Sequence, residues 1–345
     1  MRLSFETRTD GPPDGWEAFL ESRGGSIFHS PVWAAYLEAS QGLHPIYVTG
    51  RDEAGGTVGG ALAFLSHSRR PVLRGILRDL LLESHPFPHG AGPELASALV
   101  AGVEQVGRGL GCATVRIGSY MSGTSEFLPS KHGYAEEGRV EFTVDLTRDR
   151  DTIWRAVAKD QRERIRKLGR EGLRCEEGHD PEDLRELRAA REATREKRAS
   201  QGLGYDLDAD DAFYERLHEH LVRRGAARLF LARSEGKTVA ALFFAAYQGR
   251  AYSVFSGSSP EGYRMGAQSA LYWHALESLQ DAGFRELNRG GVPASASVEG
   301  DPLHGIYRFK LRLGTEPRPC RSGFKVLSPL RHRVASLRGL LRAWR

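Results

Sequence analysis

One pattern occurs twice in the chain, and it restricts the available folds more than any other feature. Residues 46–65 read IYVTGRDEAGGTVGGALAFL and residues 229–247 read LFLARSEGKTVAALFFAAY. In each, an apolar run leads into a turn of Glu, Gly and small or charged residues, and Thr-Val then opens a second apolar run. Each copy predicts a β-hairpin, because turn residues between two apolar runs favour reversal of an extended chain. The segments after the two hairpins match as well. Residues 93–111 and 266–283 are amphipathic helical stretches that stop at glycine, and short strands succeed them at 112–118 (CATVRIG) and 284–288 (FRELN). The order strand, strand, helix, strand therefore repeats at a spacing of about 170 to 180 residues. A period so long, met only twice, predicts duplicated domains and not a solenoid. The expected fold class is α/β (α+β), with two tandem lobes over residues 1–147 and 148–345, each a mixed, mostly antiparallel sheet flanked by helices. Each lobe is long enough to bury a core of its own.

The segment between the copies predicts helices. Trp154, Val157, Ala158, Gln161, Ile165 and Leu168 fall on one face of a helix from Trp154 onward, and Arg155, Arg162, Arg166, Lys167 and Arg170 lie largely off it. A second helix is expected over 181–199, where Pro-Glu-Asp suits a first turn, and a third over 208–224 with Asp208 or Asp210 as N-cap. Residues 250–256 (RAYSVFS) alternate like a further strand, and the tail from Lys325 is basic with weak helical periodicity over 330–344.

Charge is unevenly distributed. The net charge is +5, yet residues 154–174 carry eight basic groups against three acids, and residues 306–345 carry eleven against one, so the remainder is acidic. Two basic zones on an acidic body point to a polyanionic partner: RNA, a phosphate-bearing precursor or an anionic membrane surface. Solvated basic faces are the competing explanation. Cys112, Cys175 and Cys320 are scattered, without CxxC or metal spacing, which predicts a reduced, cytoplasmic setting. The N-terminus shows no apolar signal segment, and no run of about 18 apolar residues predicts a membrane span. Peripheral contact with the inner membrane face stays open. His85 and His89 bracket HPFPH, where the prolines exclude a helical ligand pair, so no metal site is expected.

Several motifs in order give the chain a resemblance to a known family. Residues 26–329 hold FHSPVW at 28–33, WRAVAKDQRERIRKL at 154–168, YRMGAQSALYW at 263–273, ELNRGG at 286–291 and IYRFKLRLG at 306–314. These resemble, in turn, the leading helix, the Arg-rich helix opening the second lobe, the helix after the central sheet, the glycine-ended strand and the FK segment of FemABX proteins. These belong to the GNAT acyltransferase superfamily and attach amino acids to amines on cell-wall precursors. The resemblance implies two GNAT-like lobes and an N-acyltransferase that moves an aminoacyl group from aminoacyl-tRNA to an amine of a peptide or lipid-linked precursor, with no cofactor or metal. Two departures speak against a UDP-linked acceptor: Asn288-Arg289 stands where the family often has an acid, and residues 36–40 (YLEAS) lack a lysine.

Transfer from an ester to an amine needs a neutral amine near the carbonyl, support for the oxyanion and a proton for the leaving oxygen, and no covalent intermediate. No convincing Ser-His-Asp or Cys-His constellation appears. The resemblance places Lys310 at the acyl site, to hold the carbonyl or a donor phosphate, with Phe309 packing under the terminal adenosine. The alternative makes Lys310 and Arg312 the exposed residues of an alternating strand. Arg264, with Tyr263 before it and Gln268 after it, is expected to open a helix, where the resemblance has it meet an acceptor phosphate and a solvent-exposed arginine is the alternative. Arg162, Arg166 and Lys167 are expected to grip tRNA phosphates. Tyr252, Tyr307 and Trp33 are candidates to line the acceptor groove, with core packing as the alternative, and Arg289 joins the substrate-binding set. GNAT enzymes that use acetyl-CoA usually carry Q/R-x-x-G-x-G/A; here Ala267 and Ser269 take the glycine positions after Arg264. An acyl-CoA-dependent enzyme acting on a sugar or peptide amine is therefore the second reading, and a non-catalytic RNA- or membrane-binding protein the third.

Overall fold

A computed structural model describes residues 3–67, 78–204 and 210–334. The chain forms two compact units, one built from residues up to Arg139 and again from Pro319, the other from Val140–Arg318. The C-terminal segment thus returns to the first unit, whereas the repeat pattern predicted a second lobe running to 345.

In the first unit, β1 (Ser4–Arg8), α1 (Trp16–Arg23) and α2 (Pro31–Gln41) precede the hairpin β2 (His44–Arg51) and β3 (Thr57–His67), then β4 (Arg78–Leu82), α3 (Pro93–Gly109) and β5 (Thr114–Ile117). β1 to β4 pair antiparallel in sequence order, and β4 pairs β5 in parallel after the α3 crossover. The predicted hairpin and helix at 46–65 and 93–111 are both present. Val100 and Val103 of α3 and Val115 and Ile117 of β5 are buried in the core of this unit.

The second unit repeats the order. β6 (Ala135–Asp145) leads into α4 (Arg150–Ala156), α5 (Lys159–Arg170), β7 (Arg174–Gly178), α6 (Pro181–Ser200) and α7 (Asp211–Leu217). Then come the hairpin β8 (Ala227–Ser234) and β9 (Lys237–Tyr247), followed by β10 (Arg250–Ser258), α8 (Pro260–Met265), α9 (Ala267–Asp281), β11 (Glu286–Pro293), α10 (His304–Leu311) and β12 (Glu316–Val326). The strand order is β6-β11-β10-β9-β8-β7, and β10 and β11, on either side of α9, form the parallel pair. In the first unit β12 lies beside β5. Each unit therefore completes its sheet with a strand from outside its repeat.

Three local expectations are corrected, and a fourth is met over the described residues. The helix from Trp154 is two helices, because Val157 is extended (φ −67°, ψ 132°), bridges Leu313, and is followed by an Ala158 N–H donating to the Arg312 carbonyl. The helix over 208–224 is α7, capped by Asp210, plus one π turn at His218–Val222; Asp208 lies outside the described residues. Lys325 lies in β12; the helical periodicity expected over 330–344 is met by helix at 329–334, and residues from 335 lie outside the described residues. Residues 304–311 form helix α10 and not an alternating strand.

Candidate active site

In the second unit, β10 and β11 pair in parallel at Arg250↔Glu286, Ala251↔Leu287 and Tyr252↔Asn288, and there the register ends while both strands run on. A buried polar cluster sits at this point. Glu141, on β6, is 1% exposed. Its carboxylate accepts from the Tyr252 hydroxyl at 3.1 Å and from Asn288 Nδ2 at 2.7 Å, and Asn288 Oδ1 in turn accepts the Gly290 N–H at 2.8 Å. That bond closes the turn at Gly290, which has φ +66°, a left-handed conformation that glycine adopts without steric cost. A Cβ at position 290 would lie 3.7 Å from Tyr252 Oη and 3.8 Å from Lys310 Nζ, so hydroxyl and ammonium face one small volume. Lys310 Nζ donates to the Arg289 carbonyl at 2.5 Å and stands 5.7 Å from the Phe142 ring centroid.

α10 brings Lys310 here because both of its neighbouring faces pack. Ile306 and Tyr307 rest on Phe142, Val292 and Ala296, and Phe309 rests on the main core of the unit. Tyr307 meets Phe142 edge-on at 5.3 Å. Arg289 is 7% exposed, with its guanidinium 3.7 Å from the Tyr272 ring centroid and 5.3 Å from that of Phe309. Burial pushes its pKa down to about 10. The structure thus gathers Lys310, Phe309, Tyr252, Tyr307 and Arg289.

The other sequence candidates lie elsewhere. Arg264 is in the last turn of α8 and not at a helix start, so the expected dipole support for a phosphate is lost; with Tyr263, Lys197, Ala193 and Pro260 it lines a shallow depression. Gln268 Nε2 donates to the Gly257 carbonyl at 2.8 Å and so ties α9 to β10. Trp33 belongs to the first unit, 3% exposed between Phe28 and Tyr36. On α5, Arg166 stands over Trp154 at 5.4 Å, and Lys167 pairs with Glu171 at 3.6 Å. Arg162 Nη1 reaches the Arg155 carbonyl at 3.5 Å. His85, in the first unit, is buried beside His89, which pushes its pKa down to about 3 and keeps it neutral; its nitrogens engage Ser125 Oγ and the Arg321 carbonyl. Among the described residues no group of three or more His, Cys, Asp or Glu is placed to hold a metal.

Sequence reasoning missed Glu141. Its only signal was an acid inside the alternating run Val140-Glu141-Phe142-Thr143-Val144. The start of α9, where the phosphate cradle of an acetyl-CoA enzyme is expected, is closed. Ala267 and Ser269 are fully buried, Ser269 Oγ donates to Gln161 of α5 at 2.8 Å, and the Arg164 side chain lies against Gly266.

A family model for the acetyltransferase (GNAT) domain matches residues 154–310. The fold is similar to that of FemX (TM-score 0.71, 13% identity, covering 92% of this chain and 96% of that one). It is also similar to a C-terminal domain assigned to a lysylphosphatidylglycerol synthetase of Agrobacterium fabrum (TM-score 0.55, 16% identity, 93% and 96% covered). A tandem GNAT protein from the clavulanic acid biosynthesis pathway is a third (TM-score 0.54, 13% identity, 95% and 99% covered). No curated protein matches the chain significantly in sequence. At these identities the likeness is one of fold.

Proposed function

We propose, from the premise that the chain is a GNAT-type acyltransferase with a FemABX-like fold, that it transfers an aminoacyl group from aminoacyl-tRNA to an amine of a peptide or cell-wall precursor. The observation that carries this reading is the closed start of α9. A CoA pyrophosphate needs exposed N–H groups at a helix start, and here the first turn is buried under α5. A tRNA donor requires no such cradle; its backbone is met by surface cations. Exposed Arg166 and half-exposed Arg162 on α5 suit that task, since among the described residues neither is ion-paired with a carboxylate, while Lys167 is held by Glu171.

In this reading the acyl carbonyl sits beside Gly290. Lys310 Nζ, fixed through one of its N–H donors by the Arg289 carbonyl, stabilises the oxyanion as the amine attacks. The Tyr252 hydroxyl takes the amine proton as its own proton shifts toward Glu141, and returns one to the departing ribose oxygen. The amine becomes an amide and the ester oxygen a hydroxyl, so the proton balance closes within the site. The described residues include no helix long and apolar enough to cross a membrane. The basic C-terminal residues remain candidates for peripheral contact with an anionic surface.

The test is donor choice. Titrating the protein with mixed charged tRNA and, separately, with acetyl-CoA at two salt concentrations should show tRNA binding that weakens with salt and little CoA binding. Tight acetyl-CoA binding without a tRNA signal would overturn the reading in favour of an acyl-CoA-dependent enzyme. Salt-sensitive RNA binding without turnover would favour the non-catalytic one. Arg162→Ala with Arg166→Ala is expected to weaken tRNA binding and reduce the slope of log affinity against log salt by roughly 2, one unit per lost phosphate contact. An unchanged slope would assign both residues to the solvated surface.

A further inference from the structure

Arg289 carries a charge that the proposed transfer step does not use. Only its backbone carbonyl holds Lys310. The guanidinium is buried, Nη1 has no hydrogen-bond partner, and the hydroxyl of Tyr272, whose ring lies beneath it, has none either. Among the described residues no carboxylate is ion-paired with it, and burial lowers its pKa. Buried arginines are normally paired, because desolvating a guanidinium is costly and an orphaned donor adds to the cost. The ring face of Tyr272 attracts the cation but offers Nη1 no oxygen. The cover is thin on the α10 side, since Phe309 is only half-buried and no residue of that helix is fully buried.

We propose that Arg289 Nη1 and Tyr272 Oη form an oxyanion-binding subsite next to the Lys310 centre, taking a singly charged carboxylate or phosphate group of a substrate. The guanidinium donors match either anion, and half-buried Phe309, 5.3 Å from the guanidinium, lies on the side from which it would enter. The subsite rests on the acyl-transfer reading for which substrate brings the anion, but not for whether an anion binds. A carboxylate would come from the acceptor, and a phosphate from the donor's terminal nucleotide.

The test is thermal unfolding of the whole chain in acetate, inorganic phosphate and chloride at matched ionic strength. Acetate or phosphate should raise the wild-type Tm above its value in chloride, and Arg289→Met should abolish that rise. In chloride, Arg289→Met should melt at or above wild type, because an unpaired buried charge has been removed. A response to acetate assigns the subsite to the acceptor, and a response to phosphate to the donor. No anion-specific response in the wild type, or one that survives in Arg289→Met, overturns the proposal. Should that variant not fold, Tyr272→Phe removes the hydroxyl alone and should weaken anion affinity roughly fivefold, the loss of one hydrogen bond; unchanged affinity would overturn the shared subsite. The readout involves no turnover. If no donor supports transfer while the anion response holds, the acyl-transfer reading fails and the subsite stands.

Discussion

Lys310→Ala is expected to lower the rate of acyl transfer by at least about 100-fold, the scale set by removing one preorganised oxyanion donor. The fold should survive it. Lys310 is half-buried on a helix without buried residues, and the variant removes, among its contacts, a hydrogen bond to the Arg289 carbonyl and the approach to Phe142. A bond of that kind contributes about 1–2 kcal/mol, near 2–8 °C in Tm for a unit of this size. The loss should appear in kcat, with KM for the acceptor nearly unchanged, because the oxyanion exists only in the transition state. Single-turnover rates with saturating donor, beside a melting curve, make the measurement. A decrease of only a few-fold, or one confined to KM, would remove Lys310 from the mechanism and leave it as a surface cation on α10.

The parts of the fold legible in the sequence were those where one period dominates. The hairpins β2–β3 and β8–β9 announce themselves by turn residues between apolar runs, and α3 and α9 by apolar spacing over four turns or more. The break between α4 and α5 left no such mark. Ala156, Val157 and Ala158 are all tolerated in helices, and the chain opens there because Val157 and Ala158 pair with Leu313 and Arg312, some 150 residues away. Residues 306–313, IYRFKLRL, satisfy both periods: apolar and basic residues alternate, yet Ile306, Tyr307 and Phe309 also fit a helix that packs on two clusters. Short segments of this kind are decided by tertiary contacts. Lys310 was therefore found through the resemblance, and its position on a helix was not.

Glu141 escaped for a different reason. Alternation in β6 reads as one apolar and one wet face, but the strand is covered on both: Phe142 and Thr143 are as buried as Glu141. A carboxylate there costs several kcal/mol unless it is hydrogen-bonded, and its partners, Tyr252 and Asn288, come from strands more than 100 positions later. Nothing local records that pairing. Asn288 stands before the β11 glycine where the FemABX-like sequence pattern often has an acid, and in this chain a carboxylate reaches Asn288 from β6.

Glu141→Gln should therefore separate scaffold from chemistry. The amide is nearly isosteric, and with its oxygen toward Asn288 Nδ2 it keeps that bond and with it the Gly290 turn. Its nitrogen then faces Tyr252 Oη, which must accept where it had donated. The Tyr252 hydroxyl loses the acceptor for its proton while the geometry stays in place. A drop of about 100-fold or more in kcat is expected, the range of general acid–base catalysis, with a Tm change within about 2–4 °C, the shift that about 1 kcal/mol produces. Glu141→Ala would remove the acceptor that the buried Tyr252 and Asn288 donors share, at about 1–3 kcal/mol for each bond lost, and would confuse the two effects. Tyr252→Phe supplies the control. If hydroxyl and carboxylate act as one relay, Tyr252→Phe should match Glu141→Gln, and the double variant should be hardly slower than either. Additive losses would mean that the two residues serve separate steps. A near-normal rate in Glu141→Gln would reduce the carboxylate to an anchor for the Gly290 turn and move the proton-transfer step to another group.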